Sequence, residues 1–472
     1  MKSLTSLLLA LPLAAAMPAS SPSSPPYPIK RDVPNGVFSM PLRKVVGPRD
    51  AAIGTRRMAM MNSPAKQASR VSSSSSAVAP PRQPLLDHNE YYLADLAIGT
   101  PPQPVSLLVD TGGWVTWVNP ICSRSARQAD CASLPAYNQS LSNPAPVAVH
   151  ALDQIVAYGD YSMAVQLEGY SDVFTFGNTS QVPQQPFGVA VDSIGVSTGI
   201  LSLGIDGNDG FNSAVSNYSV VATLARQGLI ASRVFSLSFG RGFVAVGKHV
   251  GSLVFGGVDR NQFRGPLVRT PILPRDATVD GWRYWVGVTQ FRHNAPGKAA
   301  TTASSTVAPA GNGSYMVDSG TTGLYVPRDA YDAFMAETNL TRNPLRAEGF
   351  PDVDCSMANQ TGSFSFSFAP AKNATAGITI DVPYAALVHP ERNLITNDTS
   401  KCFFAFSSGG SAPDDGDVFP ILGVEFFKAA YAVFDWDNQE IALGQGASCG
   451  EPDLVAVGSG PNAVPKVTGN CK

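Results

Sequence analysis

The 472-residue chain is predicted to fold as an all-β protein of two similar lobes with a cleft between them and a few short helices. Three observations predict this. From Tyr91 onward, short segments alternate polar and apolar residues with the period of two that half-buried strands require. The 43 Gly and 38 Pro break the sequence at short intervals and disfavour long helices. An ordered pair of motifs also occurs twice. Val109-Asp110-Thr111-Gly112 precedes Gly199-Ile200-Leu201-Ser202, and Val317-Asp318-Ser319-Gly320 precedes Pro420-Ile421-Leu422-Gly423. Ser202 lies 92 residues after Asp110, and Gly423 lies 105 after Asp318. Such a repeat points to a duplicated unit, one copy per lobe, related by a pseudo-twofold axis.

The chain divides in order. Residues 1–16 read as a secretory signal, with Lys2 ahead of an apolar core from Leu7 to Ala16 and small residues at Ala14-Ala15-Ala16. Residues 17–86 are Ser- and Pro-rich and hold ten Lys/Arg against two Asp, so the chain's acidic excess lies beyond them. A basic segment ahead of an acidic body suggests an electrostatic clamp that loosens as carboxylates protonate. The acidic body disfavours nucleic-acid binding. Residues 87–268 are expected to form the N-terminal lobe and 269–448 the C-terminal lobe. Strands are expected over Tyr91–Ile98, Val105–Val109, Val234–Phe239, Ser252–Phe255, Tyr284–Phe291, Ser363–Phe368, Cys402–Phe406 and Tyr431–Phe434. Helical patterns are confined to Ser216–Gln227 and Pro327–Thr338. Residues 296–313 read as a low-complexity surface insertion and 449–472 as an irregular tail. No membrane anchor is expected, and the chain is read as a monomer secreted from the cell or delivered to the vacuole.

The six cysteines fit a secretory compartment. An even number without a Cys-x-x-Cys pair favours disulfides over zinc. Of the 15 possible pairings, near neighbours are the simplest: Cys122–Cys131, Cys355–Cys402 and Cys449–Cys471. Eight N-glycosylation sequons stand at Asn138, Asn178, Asn217, Asn312, Asn339, Asn359, Asn373 and Asn397. The five histidines show no ligand spacing, so neither a metal nor another cofactor is expected.

The two Asp tripeptides carry the chemistry. An Asp leaving an apolar strand into a tight loop can aim its carboxylate at a cleft. Gly permits the turn and a close approach of its N–H, and the hydroxyl of Thr111 or Ser319 can bond across to the opposite loop. Two carboxyls held within hydrogen-bond distance cannot both ionise easily, so the pair shares a proton and titrates as a unit. The ionised member can take a proton from water while the neutral one donates to a peptide carbonyl. At average usage an Asp-Ser/Thr-Gly triplet arises by chance in roughly one chain in four of this length. Two copies, each after an apolar strand end and each followed by an Ile-Leu element, are far harder to obtain. Gly195-Val196-Ser197-Thr198-Gly199 fits the G-x-S-x-G pattern of serine hydrolases, but a strand pattern follows it where that elbow needs a helix.

With these motifs in place, residues 91–448 resemble the pepsin-like aspartic endopeptidases, especially the secreted fungal ones. The resemblance is carried by Thr100-Pro101-Pro102-Gln103, the two Asp loops with Thr321, Trp117-Val118, Tyr158-Gly159-Asp160, Gly256-Gly257-Val258-Asp259 and Phe434-Asp435. It implies the bilobal pepsin-like acid protease fold. It assigns Asp110 and Asp318 to the attacking water, and Thr111, Gly112, Ser319, Gly320 and Thr321 to support of the two loops. Tyr158, Gly159 and Asp160 would form a flap over the substrate, with Tyr158 bonded towards Trp117. Leu108 and Ile200 would line an apolar pocket before the scissile bond. Ser39-Met40-Pro41-Leu42 resembles the inhibitory propeptide, which would place a basic side chain of 17–86 near the dyad. Polypeptides are the implied substrates, and a non-catalytic binding or inhibitor protein on the same fold is the alternative. Four positions depart from the family pattern. Gly113 replaces a Ser that would support Asp110, Ser202 replaces a Gly packed behind the first loop, Tyr161 stands where the flap has Gly, and Val424 replaces a common acid.

Overall fold

The computed structural model describes residues 36–47, 89–125, 127–158, 163–177, 180–206, 210–211, 216–240, 249–274, 281–297, 313–343, 349–371, 376–390, 401–408 and 420–472. Strands are the main regular structure of these residues, and their burial follows the sequence alternation. In Met163–Phe176, Met163, Val165 and Leu167 are buried while Gln166 and Glu168 face solvent. The two expected helical windows hold Val220–Arg226 and Arg328–Thr338. The Ser219 hydroxyl caps the first by accepting from Ala222 N at 3.1 Å. Asn339, at φ 53°, ends the second in the left-handed region that Asn tolerates.

The duplication read from the motifs appears as one ladder drawn twice. Gln103–Asp110 runs parallel to Gly199–Ser202, with Val109 opposite Leu201. Ser314–Val317 runs parallel to Ile421–Leu422, with Val317 opposite Leu422. In each half the Ile-Leu strand then takes an antiparallel partner, Trp117 opposite Ile200 and Tyr325 opposite Ile421. Two β-strands thus lie side by side in each lobe, and one of the two places an Asp at its tip.

The halves are not separate at the expected boundary. Residues 268 and 269 fall inside one strand, Phe263–Pro271, which pairs with Glu440–Gly446. Val234–Ser238 pairs with Ala430–Asp435, and Phe235 stacks on Phe434 at 4.6 Å. Strands of both halves therefore form a shared platform within one fifteen-stranded sheet, while a seven-stranded sheet belongs to the C-terminal half. The tail is also more regular than expected. Leu454–Ala456 pairs with Gly257–Asp259 and Thr468–Asn470 with Phe263–Pro271. Val457, Ala463 and Val464 are buried against Val258, Phe263 and Tyr431, so apolar packing as well as a disulfide holds the tail.

Of the basic segment 17–86, the described part is a strand, Phe38–Gly47, paired on one side with His249–Phe255 and on the other with Asn89–Ile98. Its Arg43 forks onto Asp95, with Nε and Nη2 donating at 3.1 and 2.9 Å. Arg43 thus engages the sheet, while the other basic side chains of 17–86 lie outside the described residues. The charge complementarity is local and bidentate.

Cys122–Cys131, Cys355–Cys402 and Cys449–Cys471 are bonded. Asn138, Asn217, Asn339 and Asn359 are exposed, whereas Asn178, Asn312, Asn373 and Asn397 lie outside the described residues.

Candidate active site

Asp110 ends a strand whose Leu107, Leu108 and Val109 are buried, and Asp318 follows the equally buried Tyr315, Met316 and Val317. Each lobe's core thus anchors one Asp, and the two loops meet. The carboxyls face each other closely enough to interact, and both residues are 1% exposed. A Cβ added to Gly112 would lie 2.6 Å from Asp318 Oδ1, and one added to Gly320 would lie 2.6 Å from Asp110 Oδ1. Each glycine is the surface against which the opposite carboxyl rests. Neither has positive φ among the described backbone, so the demand here is for space and not for a left-handed turn.

Hydroxyls brace the loops across the molecule. Thr111 N donates to Ser319 Oγ at 3.0 Å and Ser319 N to Thr111 Oγ1 at 2.9 Å. Thr111 Oγ1 donates onward to Val317 O at 3.0 Å and Ser319 Oγ to Val109 O at 2.9 Å. Each hydroxyl therefore accepts from one loop and donates to the strand before the other Asp. Within the loops, Asp110 Oδ1 accepts from Gly112 N at 2.7 Å and Gly113 N at 3.0 Å. Asp318 Oδ1 accepts from Gly320 N at 2.9 Å, and its Oδ2 accepts from Thr321 Oγ1.

Burial, with the Asp318 carboxylate facing it, pushes the Asp110 carboxyl well above the usual range, against the pull of the Gly112 and Gly113 N–H groups. A pair in which one member resists ionisation is suited to hold a proton and a charge at once. Among the described residues no cluster of side chains could hold a metal ion.

Tyr158 ends the strand Gln154–Tyr158, which forms a hairpin with Met163–Phe176. Its hydroxyl accepts from Trp117 Nε1 at 2.8 Å, and burial together with the nearby Asp110 keeps it neutral far above physiological pH. Leu108 and Ile200 face each other across the parallel pair and pack with Trp117, Tyr158, Val115 and Met163 in a single apolar cluster. Gly159, Asp160 and Tyr161 lie outside the described residues.

Two features behind the loops were not read from sequence as they stand. A Cβ on Gly204 would lie 2.4 Å from Gly113 O and 2.7 Å from Thr111 O, just as one on Gly423 would lie 2.3 Å from Thr321 O. The glycine that packs against the first loop's backbone is thus Gly204, which corrects the reading of Ser202 as a lost packing glycine. In the C-terminal half, Glu425 is fully buried and accepts from Gly323 N, while its Oε1 lies 3.0 Å from His389 Nε2. The acid missing at Val424 stands one residue further on and holds the end of the second Asp loop. Its presence next to the departure was the available signal.

Two β-lobes that each contribute an aspartyl loop to one buried carboxyl pair define the aspartic proteases. The sequence profile of the eukaryotic aspartyl proteases matches residues 91–446, and the chain belongs to that family. It is an aspartic endopeptidase of the pepsin-like type. It is 26% identical over 403 residues to a probable aspartic-type endopeptidase, OPSB, of Arthroderma benhamiae, covering 82% of this chain and 75% of that one. It is 27% identical over 369 residues to secreted aspartic protease 8 of Candida albicans, covering 76% and 77%. In fold it is similar to the crystal structure of the aspartic proteinase from Irpex lacteus, with a TM-score of 0.55 at 22% identity, over 75% of this chain and 94% of that one.

Proposed function

We propose that Asp110 and Asp318 are the catalytic dyad and that the protein acts outside the cell on extended polypeptides. One carboxyl holds a proton and hydrogen-bonds to the scissile carbonyl, and the other, ionised, takes a proton from the attacking water. The observation that carries this reading is the reciprocal embrace of the loops, in which each carboxyl rests on the glycine of the opposite tripeptide. Thr111, Ser319, Gly112, Gly320 and Thr321 hold that geometry. Such preorganisation is worth preserving, because a misplacement of about 1 Å can cost ~10²-fold in rate.

Tyr158 covers the dyad and is fixed by Trp117. Leu108 and Ile200 belong to the apolar wall beside it, which supports a preference for apolar residues at the scissile bond. The signal segment supports export, and so does the likeness to a secreted Candida protease. Among the described residues no helix is long and apolar enough to cross a membrane. Residues 17–86 act as a propeptide, anchored through the Phe38–Gly47 strand and Arg43, and glycosylation falls on the exposed sequons.

The test is proteolysis of an unfolded protein substrate from acid to neutral pH, with and without a pepstatin-type transition-state mimic. Cleavage that the mimic blocks, and that Asp110→Asn and Asp318→Asn each abolish while the protein stays folded, is the expected result. Full activity in either variant would overturn the dyad. N-terminal sequencing of the active form tests the propeptide. Activity of a form that retains residues 17–86 would remove that part of the reading.

A further inference from the structure

The two aspartates differ at their outer oxygens, and the difference involves two residues far apart in sequence. Thr321, three positions after Asp318, donates its hydroxyl to Asp318 Oδ2. Gly113, three positions after Asp110, has no side chain to donate. A Cβ at residue 113 would stand 2.8 Å from Asp110 Oδ2 and 3.0 Å from Ser202 Oγ. Ser202 is buried, lies opposite Asp110 in the parallel ladder, and fills the space that a side chain at 113 would need. Its hydroxyl is committed elsewhere, donating to Val115 O at 2.7 Å. The first loop thus has its hydroxyl on the strand behind it, bonded to Val115 O. A side chain at 113 would crowd the Asp110 carboxyl first and the Ser202 hydroxyl next.

We propose that Gly113 and Ser202 work as one exchanged pair that makes Asp110 the proton-holding carboxyl of the dyad and Asp318 the carboxylate that takes the proton from water. This rests on the dyad reading above and adds the assignment of roles within it. Asp318 gains a charge-assisted hydrogen bond on Oδ2, which favours its ionised form. Asp110 has two N–H groups on Oδ1 and no hydroxyl from its own loop on Oδ2. The titratable groups facing Asp110 are Asp318 from the opposite loop and Tyr158 from the hairpin, and Tyr158 stays neutral throughout.

The proton balance is complete. Water oxygen bonds to the peptide carbon as one water proton passes to Asp318, and the Asp110 proton passes to the carbonyl oxygen, giving a neutral gem-diol. Asp318 then gives its proton to the leaving nitrogen as the C–N bond breaks. Asp110 recovers its proton from a gem-diol hydroxyl, leaving acid, amine and the starting dyad.

The experiment is the pH dependence of kcat/KM on a fluorogenic peptide for Gly113→Ser, Ser202→Gly, the double variant G113S/S202G, and Thr321→Val. The acid limb then reports ionisation of Asp318 and the basic limb loss of the proton from Asp110. Gly113→Ser alone is expected to lose at least about tenfold in kcat/KM, because its Cβ meets the carboxyl with Ser202 in the way. The double variant, in which the Ser202 hydroxyl no longer crowds the new side chain, is expected to recover part of that loss. It should also move the basic limb down by about one pH unit, as Asp110 gains a hydroxyl donor. Thr321→Val is expected to raise the acid limb by about one unit. A double variant that shifts the acid limb instead, or a Thr321→Val that shifts the basic limb, would overturn the assignment. If the double variant does not fold, Thr321→Val alone decides between the two limbs. Asp110→Asn and Asp318→Asn run in parallel: activity in either removes the dyad itself, whereas two dead variants with unmoved limbs remove only the assignment of roles.

Discussion

Replacing Thr111 with Val tests the brace between the loops while changing side-chain volume little. The Thr111 hydroxyl accepts from Ser319 N and donates to Val317 O, and both bonds are buried. Valine keeps the β-branched shape and removes both. Two buried polar groups then lose that partner, at roughly 1–3 kcal/mol each, so the expected loss is about 2–6 kcal/mol. Against a typical total of about 5–15 kcal/mol, this is a large fraction of stability. The loss falls beside Asp318, so kcat should drop by about 10–100-fold with a smaller change in KM. Thr111→Ser is the control. It keeps the hydroxyl, loses one methyl group, and should cost no more than about 1.5 kcal/mol. Urea unfolding followed by tryptophan fluorescence, with autolysis excluded by electrophoresis, gives the first quantity, and steady-state kinetics on a peptide gives the second. A Thr111→Val protein within about 0.5 kcal/mol of the parent and with undiminished kcat would show that the cross-bonds do not hold the dyad.

Glu425→Ala deprives the buried Gly323 N of its acceptor and should cost about 1–3 kcal/mol in urea unfolding. Glu425→Gln keeps an acceptor for Gly323 N and should lose less; equal losses would refute the role of that bond. The paired change Cys449→Ser and Cys471→Ser opens a disulfide with a sequence separation of 22 and should cost about 3 kcal/mol, unless tail packing alone suffices, in which case unfolding will not move. Asp110 binds its proton more tightly in the folded protein than at its ordinary value of 3.8, so stability should fall as pH climbs from that value through the raised one. Asp110→Asn should flatten that slope in thermal unfolding midpoints taken across pH, and an unchanged slope would place the effect on another group.

The parts of the site that were legible in the sequence are local. Asp110 and Asp318 stand at the ends of apolar strands within a repeated motif, and their neighbouring hydroxyls were read as bonding across to the opposite loop. What the sequence concealed depends on non-local pairing. Val234–Ser238 meets Ala430–Asp435 across most of the body, so a cut at residue 268 looked natural in one dimension and bisects a strand in three. The tail reads as irregular because its two strands have only three residues each and take their partners from 257–259 and 263–271. Glu425 was hidden by register, since comparison with a family pattern tests Val424 and stops one residue short.

Gly112 and Gly320 show a different limit. Sequence reasoning linked glycine to a turn and to close approach, but the structure assigns both residues to close approach alone, because each faces the other lobe's carboxyl. The same kind of contact joins Gly113 and Ser202. In sequence they are two independent departures, one costing a hydroxyl and one costing a packing glycine. In space Gly204 supplies the packing, and Ser202 fills the volume that Gly113 vacates. Two apparent defects become a single rearrangement, which leaves the brace of Thr111 and Ser319 intact and changes only the outer oxygen of Asp110. A substitution that preserves the brace while altering one carboxyl's donors should tune the proton's position without loosening the dyad.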